Sequence, residues 1–499
     1  MENTLLFDFI SKHLPELDEK TAIQVENKKI TYKKMDEMIK NLASFLIKKG
    51  IKKDERVVVY LNKSPEYIIS FLAVTAIQAI AVPIEIGTSK DRFNYILDET
   101  TPVRLIGEIV NDLSIPQNIV AIDWETNELT VDNESIKDNF EKLPIVKSDD
   151  PAAIFFSSGS TGRPKGVLLK QIHLVSTARN LGGGVGMDKN HRDLILSPIN
   201  HTDGWQRVGG TLYYGGTAIL YQGDLSVIGM LEDIEKYDIT GFYTPPPLIR
   251  YLLLSSTEKV QKATKKCISV EIGSAPISKP EIAQLFEKIP TANVFIHFGL
   301  TESSRATLVD TKNNPDKWHT VGKSLPGVEI IIASPEGEEL PPNTEGEILF
   351  RGIQCTREYW NRPDLNISRY RDGWLLSGDF GKMDEQGYLT YCGRKDDMIT
   401  SGGYHYFPAE VETELGPVDG IEKYTIAGVK DSNGILEQIP VAFVVPQNPE
   451  TWEAKDFMTQ AKKGLPSYMV PRKVIKVDDL PLTPSGKVDR TQTVLLYFK

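Results

Sequence analysis

Short apolar runs alternate with capped helical segments along the first half of the chain. Arg56–Tyr60 contains three consecutive valines and predicts a buried strand, and Ser64-Pro65 predicts the capped first turn of a helix. Residues 82–84 predict the next strand. This alternation is typical of a parallel sheet, because parallel strands need a crossover connection that is usually a helix. We therefore expect an α/β fold.

The stretch between Glu66 and Glu85 carries no charge and approaches the length of a membrane-spanning helix. Polar residues such as Gln78, and Pro83 near its end, favour a different interpretation. They predict a buried helix over about residues 65–80 that is followed by the strand over residues 82–84. We therefore expect no stable membrane insertion.

Other segments continue the same pattern. Residues 21–31 predict a hairpin, and Thr31 predicts the N-cap of a helix that Gly50 ends. Further strands are expected over residues 103–106, 119–122, 193–198, 215–220 and 242–247.

The character of the sequence changes toward the C-terminus. Residues 322–394 are rich in Gly, Pro and Asp with short apolar runs, which predicts a β-rich subdomain. Beyond them, a helix start at Phe407-Pro408 and two further strands predict a separate domain of about one hundred residues. We expect a large N-terminal domain of α/β layers over residues 1–394 and a small C-terminal α+β domain over residues 395–499.

Composition disfavours several classes of protein. The chain has 499 residues, which is more than a single hydrophobic core usually serves. A formal net charge of -11 disfavours a nucleic-acid partner, because binding a phosphate backbone needs a basic surface. The three cysteines are far apart and lack Cys-x-x-Cys spacing, as expected in a reducing cytosol without structural zinc. Since no signal peptide is predicted either, we expect a cytoplasmic protein.

One stretch has the composition of a phosphate-binding loop. It follows the apolar run over residues 152–156 and reads Ser157-Ser158-Gly159-Ser160-Thr161-Gly162-Arg163-Pro164-Lys165-Gly166. Its glycines allow several backbone N–H groups to converge on one anion, and Lys165 adds a positive charge. Pro164 and Gly166 on either side of this lysine distinguish the stretch from the P-loop of NTPases. Taken alone, a solvated linker explains it equally well.

Two later stretches also allow both a functional and a structural interpretation. In Phe298-Gly299-Leu300-Thr301-Glu302 the hydroxyl and the carboxylate can contact a phosphate and its Mg²⁺, or Thr301 can cap a helix. In Gly373-Trp374-Leu375-Leu376-Ser377-Gly378-Asp379 the carboxylate can accept hydrogen bonds from a ribose diol, or it can belong to a turn.

Two more stretches belong to the C-terminal part of the chain. Gly393-Arg394-Lys395-Asp396-Asp397-Met398-Ile399 is a charged linker between the two predicted domains. Pro481-Leu482-Thr483-Pro484-Ser485-Gly486-Lys487-Val488-Asp489-Arg490 predicts a stiff turn. This turn either presents Lys487 to a site or forms a solvated tip.

Together these stretches resemble, in order and spacing, the motifs of the adenylate-forming enzymes. This superfamily comprises acyl-CoA synthetases, adenylation domains of peptide synthetases and luciferases, and the resemblance extends over nearly the whole chain. It implies a large N-terminal domain and a small, mobile C-terminal domain. It also implies that ATP and Mg²⁺ activate a small carboxylic acid to an acyl-AMP with release of pyrophosphate, and that a thiol then displaces AMP.

The resemblance also implies roles for the matching residues. Pyrophosphate would be held by Ser157, Ser158, Gly159, Ser160, Thr161, Gly162 and Lys165. Adenine would stack on Phe298, which Gly299 follows, with Gly273, Ser274, Ala275 and Pro276 on its other side. Asp379 and Arg394 would hold the ribose. Thr301 would contact the α-phosphate, and Glu302 would bind Mg²⁺.

The C-terminal domain would contribute two of the matched residues. Asp396 resembles the hinge of the family, and Lys487 resembles the lysine that bridges the carboxylate and the α-phosphate. Phe298 stands where many members have tyrosine, which keeps the stacking and loses a hydroxyl. Tyr404-His405-Tyr406 differs from the commonest Glu-Asn-x of a loop that faces the thiol acceptor.

Coenzyme A is the acceptor we expect. His201 supports this expectation, because it resembles the acyl-CoA and aryl-CoA branch at a loop where amino-acid-activating members place an aspartate. A core histidine satisfied by a neighbour is the structural alternative for His201. The functional alternative is a stand-alone adenylation enzyme that loads a carrier-protein phosphopantetheine in trans. A non-catalytic nucleotide-binding protein is disfavoured, because Lys487, Glu302 and Asp379 are all present.

The acid is expected to bind between the His201 loop, residues 244–247 and residues 273–300. A neutral medium-chain or aromatic acid is the default substrate. Asp203 in the His201 loop raises the hypothesis that the acid carries an amino group. Alternatively, Asp203 caps the following helix or pairs with Arg207 one turn further on.

Overall fold

The computed structural model describes residues 4–107, 130–131, 134–135, 143–157, 164–223, 226–275, 277–401, 404–432, 436–482 and 488–498. The expected hairpin is confirmed as strands Thr21–Val25 and Lys28–Thr31. Thr31 accepts a hydrogen bond from the backbone N–H of Lys34 and is the N-cap of the helix that follows. The strand expected over residues 119–122 lies outside the described residues.

Five strands form the first sheet. Their spatial order is Arg104–Gly107, Arg56–Tyr60, Ile80–Ile84, Pro151–Ser157 and Lys165–Lys170. The first four strands are parallel, and the fifth pairs antiparallel with the fourth. The parallel α/β architecture predicted from the alternation of apolar runs is therefore confirmed.

The uncharged stretch after Glu66 forms helix Pro65–Ala76 and strand Ile80–Ile84, as predicted. The helix is shorter than expected, because Gln78 adopts a φ of 63° in a turn and its side-chain amide donates to Asp150. No helix in the described part of the chain has the length and hydropathy that crossing a membrane requires.

Nine strands form the second sheet. Their spatial order is Lys323–Ser324, Thr307–Asp310, Asn293–Phe298, Ser269–Ile272, Gly241–Thr244, Arg192–Ile195, Thr217–Leu220, Thr21–Val25 and Lys28–Thr31. The six strands from Asn293–Phe298 to Thr21–Val25 are parallel. Their carboxyl ends therefore meet along one edge, which is where ligands bind in open α/β sheets.

Helices connect and cover these sheets. In the N-terminal part they are Asp8–Ser11, Leu14–Leu17, Tyr32–Lys48, Pro65–Ala76, Lys90–Thr100, Gln171–Gly184, Thr202–Tyr213, Val227–Lys236, Pro246–Leu254, Thr257–Ala263, Lys279–Lys288 and Pro363–Ser368. Helices Gln171–Gly184 and Thr202–Tyr213 pack closely through small residues, since a Cβ at Gly209 would lie 3.4 Å from the Cβ of Ala178.

A third sheet confirms the expected β-rich subdomain. Its strands are Val328–Ala333, Gly346–Gly352, Tyr370–Arg371, Trp374–Met383 and Leu389–Arg394. The last two pair antiparallel, and their register sets Asp379 directly opposite Arg394. The sheet thereby places two of the predicted site residues side by side.

The C-terminal part has its own elements and its own core. Its strands are Ile399–Ser401, Tyr404–Tyr406, Ile421–Lys430, Gln438–Pro446 and Lys473–Lys476, and its helices are Pro408–Leu415, Ala454–Gly464 and Arg490–Tyr497. Buried residues such as Val411, Phe457 and Val444 pack together there. The small C-terminal α+β domain is thus confirmed, while its boundary at residue 394 and its mobility stay predictions.

Candidate active site

Three loops meet at the carboxyl edge of the second sheet. They follow strands Gly241–Thr244, Ser269–Ile272 and Asn293–Phe298, which are neighbours and parallel. Two of the predicted stretches, residues 273–275 and 299–302, lie in these loops. The fold therefore explains why residues separated in sequence meet at one place.

The loop after Ser269–Ile272 approaches the neighbouring strand closely. A Cβ at Gly273 would lie 2.2 Å from the imidazole of His297, so only glycine fits there. Ser274 follows with a φ of 71°, and its hydroxyl hydrogen-bonds the Tyr243 hydroxyl over 2.7 Å. The structure places Ala275 next, on the surface, and Pro276 lies outside the described residues.

The loop after Asn293–Phe298 is a tight turn. The backbone groups of Leu300 and Ser303 exchange two hydrogen bonds of 3.2 Å, so the chain folds back instead of starting a helix. The alternative in which Thr301 caps a helix is therefore wrong. Gly299 allows the turn, because a Cβ there would lie 2.3 Å from the backbone nitrogen of Arg305.

Glu302 is buried at the end of this turn. Its Oε1 atom accepts a hydrogen bond of 2.6 Å from the Tyr359 hydroxyl. Burial and the nearby carboxylate raise the pKa of Tyr359, so the phenol keeps its proton and remains a donor. Tyr359 thus orients one oxygen of a carboxylate that the sequence predicts to hold Mg²⁺.

Lys165 lies close to Glu302. It pairs in register with Ser157 across two antiparallel strands, and the loop residues Ser158, Gly159, Ser160, Thr161 and Gly162 between them lie outside the described residues. Burial lowers the pKa of Lys165, as do the positive charges of Arg369 and Arg394, whereas Glu302 opposes this effect. Several cations and one carboxylate thus share a small volume.

Arg369 is a cation that the sequence analysis missed. One of its terminal nitrogens donates to the backbone oxygen of Ser377 over 2.8 Å. Its Nε atom is buried and has no hydrogen-bond partner among the described residues. A guanidinium with a spare buried donor beside Lys165 is suited to an anion. No motif marks this arginine, because only tertiary packing brings it to the site.

Asp379 and Arg394 lie opposite each other on two neighbouring strands of the third sheet. The Arg394 Nε atom lies 3.4 Å from Asp379 Oδ1, and the Asp379 side chain is buried while that of Arg394 is 50% exposed. Burial opposes the charge of Arg394, but Asp379 and Tyr391 raise its pKa above the ordinary value. The guanidinium is therefore charged and accessible.

Phe298 packs within an aromatic cluster next to this pair. Its ring lies 5.2 Å from that of Tyr391 and 5.9 Å from that of Phe350, measured between centroids. Tyr391 is on the same strand as Arg394, and the sequence analysis did not identify it. The cluster fixes the orientation of Phe298, the predicted adenine platform.

His201 is the N-cap residue of helix Thr202–Tyr213 but makes no side-chain capping bond. Burial lowers its pKa, which Glu85 and Asp203 oppose, so the imidazole is neutral at neutral pH. The role of His201 toward the acid therefore stays a prediction.

Asp203 takes neither of the structural roles considered for it. The N-cap is His201, and Arg207 turns away from Asp203 to bind the buried carboxylates of Asp193 and Glu271. Both alternatives are therefore wrong, because two buried carboxylates need the guanidinium more than a half-exposed one does. Asp203 instead accepts a hydrogen bond of 3.4 Å from the Ser274 hydroxyl.

Behind Asp203 lies a buried network of charges. Glu271 lies 2.9 Å from each of Arg207, Arg305 and His297. Burial would raise the pKa of Glu271, but these neighbours hold it well below its ordinary value. Arg305 also donates to Gln206 over 3.2 Å and lies 3.6 Å from Asp203.

Charged residues surround the start of the C-terminal part. Asp396 lies in the short 3-10 turn Lys395–Asp397 at the end of the third sheet. Arg490 lies 3.6 Å from Asp397 and forms an ion pair of 2.6 Å with Glu412. Lys487 and the glycines at 402 and 403 lie outside the described residues.

Comparison with known proteins gives these residues a context. The sequence profile of the AMP-binding enzyme family matches residues 12–360, and the profile of the C-terminal domain of these enzymes matches residues 410–487. The oxalate–CoA ligase of Arabidopsis thaliana is 28% identical over 503 residues, which covers 97% of this chain and 96% of that relative.

Solved structures agree over the whole length. ATP-bound MatB from Rhodopseudomonas palustris superimposes with a TM-score of 0.88 at 25% identity and covers 100% of both chains. O-succinylbenzoate coenzyme A synthetase from Bacillus subtilis, in complex with ATP and magnesium ion, gives a TM-score of 0.84 at 25% identity, covering 97% of this chain and 98% of the other. The predicted fold class is confirmed by these similarities.

Proposed function

The chain belongs to the AMP-binding enzyme family, and we propose that it is an AMP-forming acid–thiol ligase of the acyl-CoA synthetase type. A carboxylate oxygen of the acid attacks the α-phosphorus of ATP, which gives an acyl-AMP and releases pyrophosphate. The sulfur of coenzyme A then attacks the acyl carbon, and AMP leaves while the thiol loses its proton. The observation that carries this proposal is that the charges of Glu302 and Arg394 both act on Lys165, although the three residues come from three different sheets or their loops.

The nucleoside binds between the second and third sheets. Adenine stacks on Phe298, whose orientation the Tyr391 ring fixes, and the Gly273–Ala275 backbone lies on the other side of adenine. Asp379 accepts hydrogen bonds from the ribose hydroxyls, and Arg394 donates to them. The 3.4 Å separation between Arg394 and Asp379 supports this role, because it keeps the guanidinium beside the carboxylate without consuming all its donors.

The phosphates bind next to the cations. The loop from Ser157 to Lys165 holds pyrophosphate, and Thr301 donates to the α-phosphate. Arg369 joins this set, since its buried Nε atom has no partner within the described structure. Negative charge builds up in the transition state as the carboxylate approaches phosphorus. A hydrogen-bond donor that points at this charge in a water-poor site therefore raises the rate about a hundredfold to a thousandfold.

Glu302 has the chemistry that Mg²⁺ requires. This ion prefers one or two carboxylates together with phosphate oxygens, and Tyr359 binds only one oxygen of the Glu302 carboxylate. The residue therefore fits the ion, which would neutralise charge on the triphosphate when bound. Tyr359 keeps the carboxylate aimed, because the hydrogen bond restricts its rotation.

The C-terminal domain supplies the remaining cation. We assign residues 1–394 and 395–499 to the two domains, with a hinge at Asp396, where the third sheet ends and a short turn begins. Lys487 bridges the carboxylate of the acid and the α-phosphate. Rotation at the hinge then replaces Lys487 with the loop that carries Tyr404 for thioester formation.

His201 borders the acid. A neutral imidazole can approach the acyl group without attracting its carboxylate away from phosphorus, and burial keeps His201 neutral. Coenzyme A as the acceptor is supported by the CoA ligase relative that aligns over 97% of the chain. The three free, buried cysteines support a reducing, cytoplasmic location.

Pyrophosphate release over a panel of carboxylic acids tests this function. ATP-dependent release with at least one acid, followed by a CoA thioester when coenzyme A is added, is the expected result. A holo carrier protein in a parallel reaction tests the alternative acceptor. Release of ADP and phosphate instead of AMP and pyrophosphate would contradict the assignment.

A further inference from the structure

Helix Lys90–Thr100 contacts the end of the phosphate loop, which comprises residues 157–165. The Tyr95 hydroxyl donates a hydrogen bond of 3.1 Å to the backbone oxygen of Pro164. Pro164 directly precedes Lys165, one of the residues proposed to hold pyrophosphate. The helix contains none of the residues assigned to the nucleotide, yet one of its side chains holds the base of the loop.

This hydrogen bond fixes the orientation of one peptide group. Since the peptide group is planar, a bond to the Pro164 oxygen also orients the backbone nitrogen of Lys165. Lys165 begins strand Lys165–Lys170 and pairs with Ser157 of the neighbouring antiparallel strand. The start of the strand is therefore held both by its partner strand and by the helix.

The other edge of strand Lys165–Lys170 is covered by a further segment. The backbone N–H of Trp360 donates to the Gly166 oxygen over 2.8 Å, and that of Leu168 donates to the Glu358 oxygen over 3.1 Å. Gly166 fits closely, because a Cβ there would lie 3.3 Å from the Cβ of Trp360. The strand that begins at Lys165 is thus hydrogen-bonded along both edges.

Trp360 connects this segment to the helix that contains Tyr95. Its indole N–H donates to the backbone oxygen of Glu99 over 3.0 Å. Glu99 lies in the last turn of the helix, where carbonyl groups have no partner within the helix. Arg56 binds the next carbonyl, that of Thr100, over 2.7 Å, and its guanidinium carbon lies 5.5 Å from the Trp360 ring centroid. The end of the helix is therefore tied to the segment that covers the lysine strand.

The inner face of the same helix belongs to a hydrophobic core. Phe93 and Ile96 are buried there together with Ile154 and Phe156 of the strand that leads into the phosphate loop. Tyr95 itself is half-buried. Its hydroxyl thus reaches the loop from a helix that tight packing holds in place.

We propose that Tyr95 is a positioning residue for the phosphate loop, which holds the Pro164 carbonyl so that Lys165 reaches the β- and γ-phosphates of ATP. This inference rests on the proposed ligase function. Tyr95 acts through the loop alone, so its effect should be confined to ligands that have these phosphates. AMP lacks them, and its affinity should not depend on Tyr95.

Tyr95→Phe tests this inference, because it removes the hydroxyl and keeps the ring. Titration calorimetry on the full-length protein without an acid measures the Kd for ATP in the presence of Mg²⁺ and the Kd for AMP. We expect the Kd for ATP to rise about threefold to tenfold, which is the worth of one neutral hydrogen bond, while the Kd for AMP stays the same. The ratio of the two constants is compared, so a smaller folded fraction does not affect the result.

Tyr32→Phe is the matched control. The Tyr32 hydroxyl also donates to a backbone oxygen, that of Gly216, over 2.8 Å. This bond lies at the second sheet, where Gly216 precedes strand Thr217–Leu220. The control variant should leave the ratio of the two constants unchanged, even if it lowers the free energy of unfolding.

Two outcomes separate this inference from the function on which it rests. If Tyr95→Phe weakens the binding of ATP and AMP equally, or changes neither, the positioning role is wrong and the ligase function stands. If the wild-type protein binds neither nucleotide, the ligase function itself is overturned, and the inference is overturned with it.

Discussion

The nucleotide end and the acid end of the site use charge in different ways. At the proposed nucleotide end Arg394 is 50% exposed, and the Glu302 carboxylate accepts a hydrogen bond from the Tyr359 hydroxyl. At the acid end Arg207 and Arg305 are buried and bind carboxylates of the protein itself. The charged groups of the first set are accessible to a ligand, whereas those of the second set form ion pairs within the protein.

This difference has energetic consequences. A buried charge that loses its partner costs far more than an exposed one, because no water replaces the lost interaction. Substitutions at the acid end should therefore mainly lower the free energy of unfolding. Substitutions at the nucleotide end should change catalysis and leave the fold intact, since their partners are absent until substrates bind.

The largest effect is expected from Glu271→Ala at the acid end. It leaves Arg207 and Arg305 without a shared carboxylate, and the free energy of unfolding should fall by about 3–5 kcal/mol. Urea unfolding of the substrate-free protein measures this. Glu329→Ala is the control, because it removes an exposed pair with Arg351 and should cost at most about 1 kcal/mol. Equal losses in the two variants would contradict the contrast between the two ends.

The same contrast explains what the sequence could predict. Asp379, Glu302 and Lys165 lie in long motifs, and the roles proposed for them toward the nucleotide would explain their type and spacing. The alternation of strands and helices also follows from local patterns, and it predicts the parallel sheets. Neither kind of signal depends on distant parts of the chain.

Tyr359, Arg369 and Tyr391 could not be predicted, because they reach the site only after the third sheet packs. The role of Asp203 was left open for the same reason. Glu271 lies on a different strand and binds Arg207, so Arg207 is not available to Asp203. Asp203 accepts a hydrogen bond from Ser274 instead. Sequence spacing alone favours the partner one helical turn away.

Lys487→Ala tests the nucleotide end of the site. We expect the rate of acyl-AMP formation to fall about a thousandfold. The lysine comes from the C-terminal domain, so it should matter for adenylation only. Supplied acyl-AMP and coenzyme A should still give the thioester. Rapid-quench measurement of each half-reaction checks this, and circular dichroism confirms that the variant is folded.

Asp396→Pro is the complementary variant. Proline fixes φ at the predicted hinge, so the protein should form acyl-AMP and then stall before the thioester. If Lys487→Ala and Asp396→Pro lose both half-reactions to the same extent while folded, rotation of the C-terminal domain is not part of the mechanism.

Glu302→Gln should reduce adenylation by about a hundredfold, because the variant keeps the shape of the side chain and loses the charge that holds Mg²⁺. The free energy of unfolding should change by less than about 1 kcal/mol, in contrast to Glu271→Ala. A titration of Mg²⁺ at saturating ATP should show a higher half-saturation concentration. If the variant has wild-type activity at ordinary Mg²⁺ levels, the assignment of Glu302 as a metal ligand is wrong.

Tyr359→Phe should have the smallest effect, a loss of about tenfold in kcat/KM for ATP, because it removes one hydrogen bond to a charged group. The bond of 2.6 Å orients the Glu302 carboxylate without touching the substrates. The loss should therefore vanish in the background of Glu302→Gln, where the carboxylate is already absent. A double-mutant cycle on pyrophosphate exchange measures this coupling. Additive losses would show that Tyr359 acts on stability or on another group. The orientation of the Glu302 carboxylate would then not depend on its hydrogen bond to Tyr359.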